Sequence, residues 1–254
     1  MSDTPPVVAP RLEWRVARVL EARDETPRTR TIVLDVPGWP GHRAGQHVDV
    51  RLVAEDGYEA QRSYSIASAP ERKAVELTIE EIENAEVSPY LCDVLQVGDG
   101  LEVRGPIGGY FVWSDADPGP VLLIAGGSGI VPLMSMLRHR ARDGGARADT
   151  PVRLLYSART ADDVIYRSEL TQLAAAGVAD VVTTLTRETS AQWQGRRGRI
   201  DSEMLGELAW PAAELPRAFV CGPTALVESV ATALVALGYD PGKVKTERFG
   251  PTGS

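Results

Sequence analysis

The chain has 254 residues, with 27 Lys and Arg against 35 Asp and Glu, a formal charge of −8. That length suits one large domain or two ordinary ones, and the acidic balance argues against a protein whose main partner is a phosphate backbone. With 43% apolar and 24% charged residues the composition excludes global disorder, and two cysteines supply neither a disulfide framework nor the four thiolates of an ordinary iron–sulfur cluster.

Residues 1–10 carry no basic stretch followed by an apolar one, so they read as a disordered N-terminus and not as a signal peptide. From residue 12 to 113 the pattern is short strands of alternating polarity, at 16–20, 31–36, 47–53, 74–79 and 101–104, separated by Pro-Gly and Asp-Gly turns. This rhythm predicts an antiparallel sandwich or barrel over 11–115, with one short helix over 88–95 that Ser88 caps. The polar stretch 114–120 is the domain boundary. Beyond it, apolar strands at 121–125, 152–157, 181–185, 218–221 and 243–249 alternate with helices at 131–142, 168–176, 202–208 and 224–237. Strands alternating with helices predict a parallel sheet covered on both faces, an α/β domain over 120–254. The longest uncharged run, 121–137, is broken by Gly126, Gly127, Gly129 and Pro132, which suits a phosphate-facing turn better than a bilayer span. A cytoplasmic protein is expected.

Several short constellations carry chemistry. In Arg62-Ser63-Tyr64-Ser65, alternation puts Arg62 and Tyr64 on one face and the serines on the other. An arginine beside an aromatic ring can neutralise a phosphate while the ring stacks on a heterocycle; taken alone, four residues favour ordinary polar decoration of a strand. Glu86-Val87-Ser88 opens the short helix, where amides attract an anion or a serine merely caps. Gly105-Pro-Ile-Gly-Gly permits close approach or simply closes a turn. Gly126-Gly127-Ser128-Gly129, with Pro132 three residues on, follows a buried strand and opens a helix, so backbone donors can face a pyrophosphate. It lacks the Lys-Ser/Thr of a nucleoside-triphosphatase loop, and Pro132 stands where a Gly-x-Gly-x-x-Gly motif has its third glycine. Arg159 follows Ser157, Arg187 follows Thr186, and Arg199 lies further on, so guanidiniums recur after successive strands. Such a set suits a 2′-phosphate, although solvated loop charge is the plain alternative. Cys221-Gly222-Pro223 ends a strand at the same sheet edge, and Glu247 and Phe249 lie near the C-terminus. None of His42, His47 and His139 is near Cys221 in sequence, which disfavours a paired nucleophile without excluding spatial pairing.

In this order the motifs resemble the ferredoxin–NADP reductase family of flavoproteins, over residues 12–250. The resemblance implies an antiparallel β-barrel FAD-binding domain followed by an α/β parallel-sheet NADP-binding domain. It implies that Arg62 contacts the FAD pyrophosphate, Tyr64 packs on the flavin, and Ser65 hydrogen-bonds near N5, with Ser63 beside them. Glu86, Val87 and Ser88 would hold phosphates through the adjacent amides. Gly126, Gly127, Ser128, Gly129, Pro132, Ser157, Arg159, Thr186, Arg187 and Arg199 would hold NADP(H). Cys221, with Gly222 and Pro223, and Glu247 would flank the nicotinamide–flavin contact, and Phe249 would cover it as a movable lid. The catalytic set is then Ser65, Cys221, Glu247 and Phe249, with no metal. Ala85 departs from the family's frequent glycine, and Phe249 replaces the terminal tyrosine of plastid-type members. The expected activity is hydride transfer from NADPH to FAD, then single electrons to a protein such as ferredoxin, flavodoxin or an oxygenase component. The alternatives are a flavin reductase that releases reduced flavin and a non-catalytic electron-transfer subunit. A monomer is expected, with Arg11, Arg15 and Arg18 as the acceptor's docking patch.

Overall fold

Alternation of side chains fixes the first half of the molecule. In the computed structural model, which describes residues 12–114, 118–142 and 150–249, six strands form one antiparallel sheet: β1 (Trp14–Thr26), β2 (Thr29–Asp35), β3 (His47–Val53), β4 (Glu59–Ser65), β5 (Val75–Glu80) and β6 (Gly100–Ile107). Their order is β4-β3-β6-β1-β2-β5. The two outer strands meet through an Ile66–Leu77 bridge, and the Ala67 amide donates to the Glu76 carbonyl at 2.7 Å, so the sheet closes on itself. Every second residue points inward: Ala17 and Val19, Ile32 and Leu34, Val48 and Val50, Leu77 and Ile79, and Leu101 and Val103 form one buried cluster. Each such aliphatic contributes roughly 1.5–3 kcal/mol of gross burial energy.

The short helix expected over 88–95 is a different element. The chain makes a π-turn over Tyr90–Val94, wide enough that Leu91 and Leu95 both bury completely. The carbonyls of Cys92 and Leu95 accept from the Arg30 guanidinium. Ser88 does not cap this turn.

In the second half, β7 (Val121–Gly126), β8 (Val152–Ala158), β9 (Asp180–Leu185), β10 (Arg196–Arg197), β11 (Arg217–Pro223) and β12 (Val244–Phe249) form a wholly parallel sheet in the order β10-β9-β8-β7-β11-β12. Helices α1 (Ile130–Ala141) and α2 (Arg167–Ala175) cover one face, α3 (Ser202–Leu208) and α4 (Thr224–Ala236) the other. Leu123, Phe219 and Cys221 point to the first face, Leu122, Ile124 and Val220 to the second. The strand order reverses beside β7, and an open α/β sheet leaves its crevice at such a point. The expected strands and helices of this half stand within about two residues of the observed ones. β10 was not anticipated, because two arginines carry no apolar signature.

The two halves share a core. Ala44, Ala67, Phe111 and Trp113 pack in the cluster under α1, and Phe111 meets Phe219 edge-on at 5.5 Å. Ser135 on α1 donates to the Ser68 carbonyl at 2.7 Å. Glu76, buried on β5, accepts from Arg138 of α1 at 3.1 Å and from Arg23 of β1 at 3.0 Å, while Arg138 grips Glu169 of α2 at 2.6 and 2.7 Å. Among the described residues no helix is long and apolar enough to cross a membrane.

Candidate functional site

The glycine turn after β7 and the Cys-Gly-Pro segment that ends β11 are pressed together. A Cβ on Gly129 would stand 2.1 Å from the Cys221 carbonyl oxygen, so only glycine fits there. Gly127 adopts φ +54°, which turns the chain from β7 into α1. Pro132 sits in the first turn of α1, where it is buried. The helix therefore begins directly behind two strand ends, with its first amides unspent on any side-chain cap.

A crevice of about 220 Å³ opens at these strand ends. Gly126, Gly127, Ser157, Arg159, Thr186, Pro223 and Phe249 wall it from the second domain. Arg28, Thr29 and Glu80 close it from the barrel, and the sequence reading missed these three. Arg187 and Arg199 are exposed nearby in the chain but do not line it; the Arg187 amide donates to the Arg159 carbonyl at 2.8 Å, which ties their two loops. Arg159, Arg187 and Arg199 have no ion pair or side-chain hydrogen bond among the described residues, whereas Arg153 and Arg196 hold Asp180 and Glu207. Ser128 lies in the tight turn between Gly127 and Gly129.

A second cavity, of about 120 Å³, lies between the domains and shares Phe249 with the first. His47, Ser63 and Ser65 reach it from the barrel, and Cys221, Glu247 and Arg248 from the parallel sheet. The register explains the grouping: His47 pairs with Ser65 across β3 and β4, and Cys221 with Glu247 across β11 and β12. Cys221 is buried, which pushes its thiol well above the ordinary value, and the Glu247 carboxyl adds to that. Burial raises the Glu247 carboxyl to about 7, and its Oε2 is buried without a partner. Tyr64 packs half-buried on the barrel core, and burial raises its phenol well beyond the ordinary range. Arg62 is exposed, with one N–H on the Gln61 carbonyl at 2.7 Å.

The side chains of the 86–88 segment have partners of their own or lie in the core. Glu86 accepts from the Tyr58 hydroxyl at 2.7 Å, Val87 is core, and the buried Ser88 hydroxyl accepts from the Ile82 amide at 3.0 Å. The Ser88 hydroxyl thereby ties the 82–88 loop. Gly222 approaches Gly126 too closely for a side chain to point at a ligand. A broader depression of about 820 Å³ beside α2 is lined by Arg23, Glu25 and Glu169, whose charges are already paired. No buried side-chain polar atom of its lining lacks a partner.

The residues present fit a flat heterocycle and a dinucleotide: the orphaned Glu247 oxygen and the Ser65 hydroxyl, both without a partner among the described residues, line one cavity, and the glycine turn with Arg159, which has no ion pair among them, lines the other. A closed antiparallel barrel meeting a parallel α/β domain over such a crevice defines a two-domain flavin- and pyridine-nucleotide-binding oxidoreductase.

The comparisons agree. The model of the oxidoreductase FAD-binding domain matches residues 17–112, and that of the oxidoreductase NAD-binding domain matches 123–232. The ferredoxin–NADP reductase B of Sorangium cellulosum is 35% identical over 212 residues, covering 81% of this chain and 84% of that protein. The glycine betaine monooxygenase reductase subunit of Chromohalobacter salexigens is 34% identical over 230 residues, covering 89% of this chain and 61% of that protein; the chain thus spans about three-fifths of the length of such relatives. Among solved structures, the cytochrome P450 reductase of Amycolatopsis superposes with a TM-score of 0.82 at 28% identity, over 99% of this chain and 74% of that one. The chain belongs to the ferredoxin–NADP reductase family.

Proposed function

We propose that this protein takes hydride from NADPH onto a bound FAD and passes electrons singly to a protein acceptor. The reading rests on one observation above all: the cavity lined by Ser65, Cys221 and Glu247 and the crevice at the glycine turn share Phe249 as a wall. Bound there, a flavin supplies two-electron acceptance and one-electron release, which no side chain of this protein can do.

The chain's own residues then have distinct tasks. Tyr64 offers a ring face and Arg62 an exposed guanidinium, without a carboxylate partner among the described residues, for the prosthetic group's phosphates. Ser65 and Glu247 handle polar contact and protons at the reacting atoms. Cys221, kept as a neutral thiol by burial, packs there without competing as a nucleophile. The glycine turn and α1 hold the dinucleotide's pyrophosphate. Arg159, Arg187 and Arg199 favour a 2′-phosphate because no carboxylate among the described residues neutralises them. The relatives' names supply the acceptor class, a ferredoxin or an oxygenase component. Arg18, exposed on β1, remains the docking residue we favour, with Arg15 three residues before it on the same strand, and Arg11 lies outside the described residues. The domain limits 11–115 and 120–254 are part of the same proposal.

Anaerobic titration of the purified protein with NADPH tests this. A yellow protein that bleaches with one equivalent, and then reduces ferricyanide, is expected. Colourless protein with flavin obeying substrate kinetics indicates a flavin reductase instead. Yellow protein that never oxidises NADPH indicates a non-catalytic subunit.

A further inference from the structure

The crevice at the glycine turn holds a charge to which neither the motifs nor the proposed function gives a task. Glu80 ends β5 and is half-buried, with Oε2 3.6 Å from where a Cβ on Gly127 would stand. A carboxylate thus stands against the turn whose amides suit an anion. Its backbone is held on both sides: Thr29 of β2 lies opposite it in the sheet, and the next amide, that of Glu81, donates to the Arg28 carbonyl at 2.8 Å. The barrel presents Glu80 to the second domain from a fixed strand end.

Among the described residues no ion pair or hydrogen bond engages this carboxylate. The other carboxylate of the crevice, Asp163, is already committed, accepting from the Thr160 amide at 3.0 Å and the Thr160 hydroxyl at 2.6 Å. Arg28, on the same barrel wall, gives its guanidinium to the Glu81 carbonyl at 3.2 Å and makes no ion pair with Glu80. An ionised carboxylate only accepts hydrogen bonds, so whatever completes Glu80 must donate. Beside its phosphates a dinucleotide brings donors of one kind, the ribose hydroxyls, and a neighbouring pair of them matches two carboxylate oxygens.

We propose that Glu80 binds the ribose of the nicotinamide half of the dinucleotide, its carboxylate accepting from the ring's hydroxyls. The inference rests on the proposed function and names a contact within it. The choice between the two riboses follows from where the residues stand. Arg159, Arg187 and Arg199, which suit the 2′-phosphate of the adenosine half, all belong to the second domain. The nicotinamide has to reach the cavity that Ser65 lines from the barrel and Cys221 from the parallel sheet, so its half runs between the domains. Glu80 meets that half from the barrel, in a crevice that shares Phe249 with the cavity. The neighbouring phosphates repel the same carboxylate, and the two effects have opposite signs: removing Glu80 weakens binding where the ribose contact dominates and tightens it where repulsion does. Both NADPH and NADH carry this ribose, so Glu80 serves them alike, whereas Arg187 separates them.

The test is calorimetric titration of flavin-loaded full-length protein, wild type, Glu80→Ala and Glu80→Gln, with NADP⁺ and with 2′,5′-ADP, which lacks the nicotinamide half. In Glu80→Ala the Kd for NADP⁺ should rise about 10- to 50-fold, the loss expected for a hydrogen bond to a charged group, while that for 2′,5′-ADP stays within about twofold. The kcat/KM for NADPH and for NADH should fall by the same factor. Glu80→Gln keeps the shape and one acceptor oxygen, so its Kd for NADP⁺ should lie between those of wild type and Glu80→Ala. If Glu80→Ala fails to fold or sheds its flavin, Glu80→Gln decides alone, by weaker NADP⁺ binding with 2′,5′-ADP unchanged. NADP⁺ binding that stays the same or tightens, or 2′,5′-ADP binding that weakens as much as NADP⁺, overturns the proposal. Wild-type protein that bleaches with NADPH while its variants give either result has lost only the Glu80 assignment. Wild-type protein that neither binds NADP⁺ nor bleaches with NADPH has lost the proposed function, and this inference with it.

Discussion

The domains meet along two polar seams built in opposite ways. At the back, Glu76, Arg138 and Glu169 are joined by hydrogen bonds of 2.6 to 3.1 Å, with Arg23 at 3.0 Å and Arg72 at 3.6 Å completing the shell around Glu76. At the front, among the described residues, the Glu247 oxygen has no partner and Arg159, Arg187 and Arg199 have no ion pair. A buried charge left alone is costly, and a paired one is nearly neutral. The back seam is therefore finished by the protein itself, while the front seam is arranged to be finished by what binds there.

The largest effect should come from breaking the finished seam. Arg138→Met leaves Glu76 with a reduced cation shell and Glu169 with no partner, and should cost about 2–4 kcal/mol of unfolding free energy. Urea denaturation of the apo and flavin-loaded forms measures this. A loss below about 1 kcal/mol would mean that the back seam is decoration, and the contrast would fall.

The next effect belongs to the front seam and should leave stability alone. Arg187→Ala removes an exposed, unpaired guanidinium, so the melting midpoint should stay within a degree or two. The kcat/KM for NADPH should drop roughly 10- to 100-fold, as expected for a charge-assisted contact worth about 1.5–3 kcal/mol, with NADH little changed. Retained discrimination would move the 2′-phosphate assignment away from this arginine.

Much of this contrast was legible before any coordinates. The period-2 pattern of Ile32 and Leu34 or Val48 and Val50 gave the barrel strands, and the run at 121–125 gave the central parallel strand, because burial on one face and on two faces leaves different patterns. The glycine turn and Cys221-Gly222-Pro223 were visible because close backbone approach demands glycine. What stayed hidden depended on pairing. His47 joins the site only because β3 lies antiparallel to β4 in the register that sets His47 opposite Ser65. Glu80 and Arg28 join it only because the barrel closes with β5 at its edge. Ser88 was misread because its hydroxyl answers an amide six residues back, Ile82, and a capping pattern looks forward.

Glu247 gives the smallest effect and the sharpest one, because the contrast fixes its sign. Its carboxyl is raised from 4.5 to about 7 by burial alone. Below pH 4.5 both folded and unfolded chains hold the proton, and the group is neutral to stability. Between pH 4.5 and 7 the unfolded chain ionises while the folded one still holds its proton, so stability falls as pH rises; above 7 the deficit is constant. Glu247→Gln carries no such charge and should gain about 1–3 kcal/mol over wild type at pH 8, and nothing at pH 4. The same variant should slow turnover, since it cannot take up a proton at the reacting atoms. In the flavin-loaded protein the stability gain should shrink, because the bound group gives the carboxyl the partner it lacks. A Glu247→Gln variant no more stable than wild type at pH 8, in apo protein, would show the front seam to be as self-sufficient as the back.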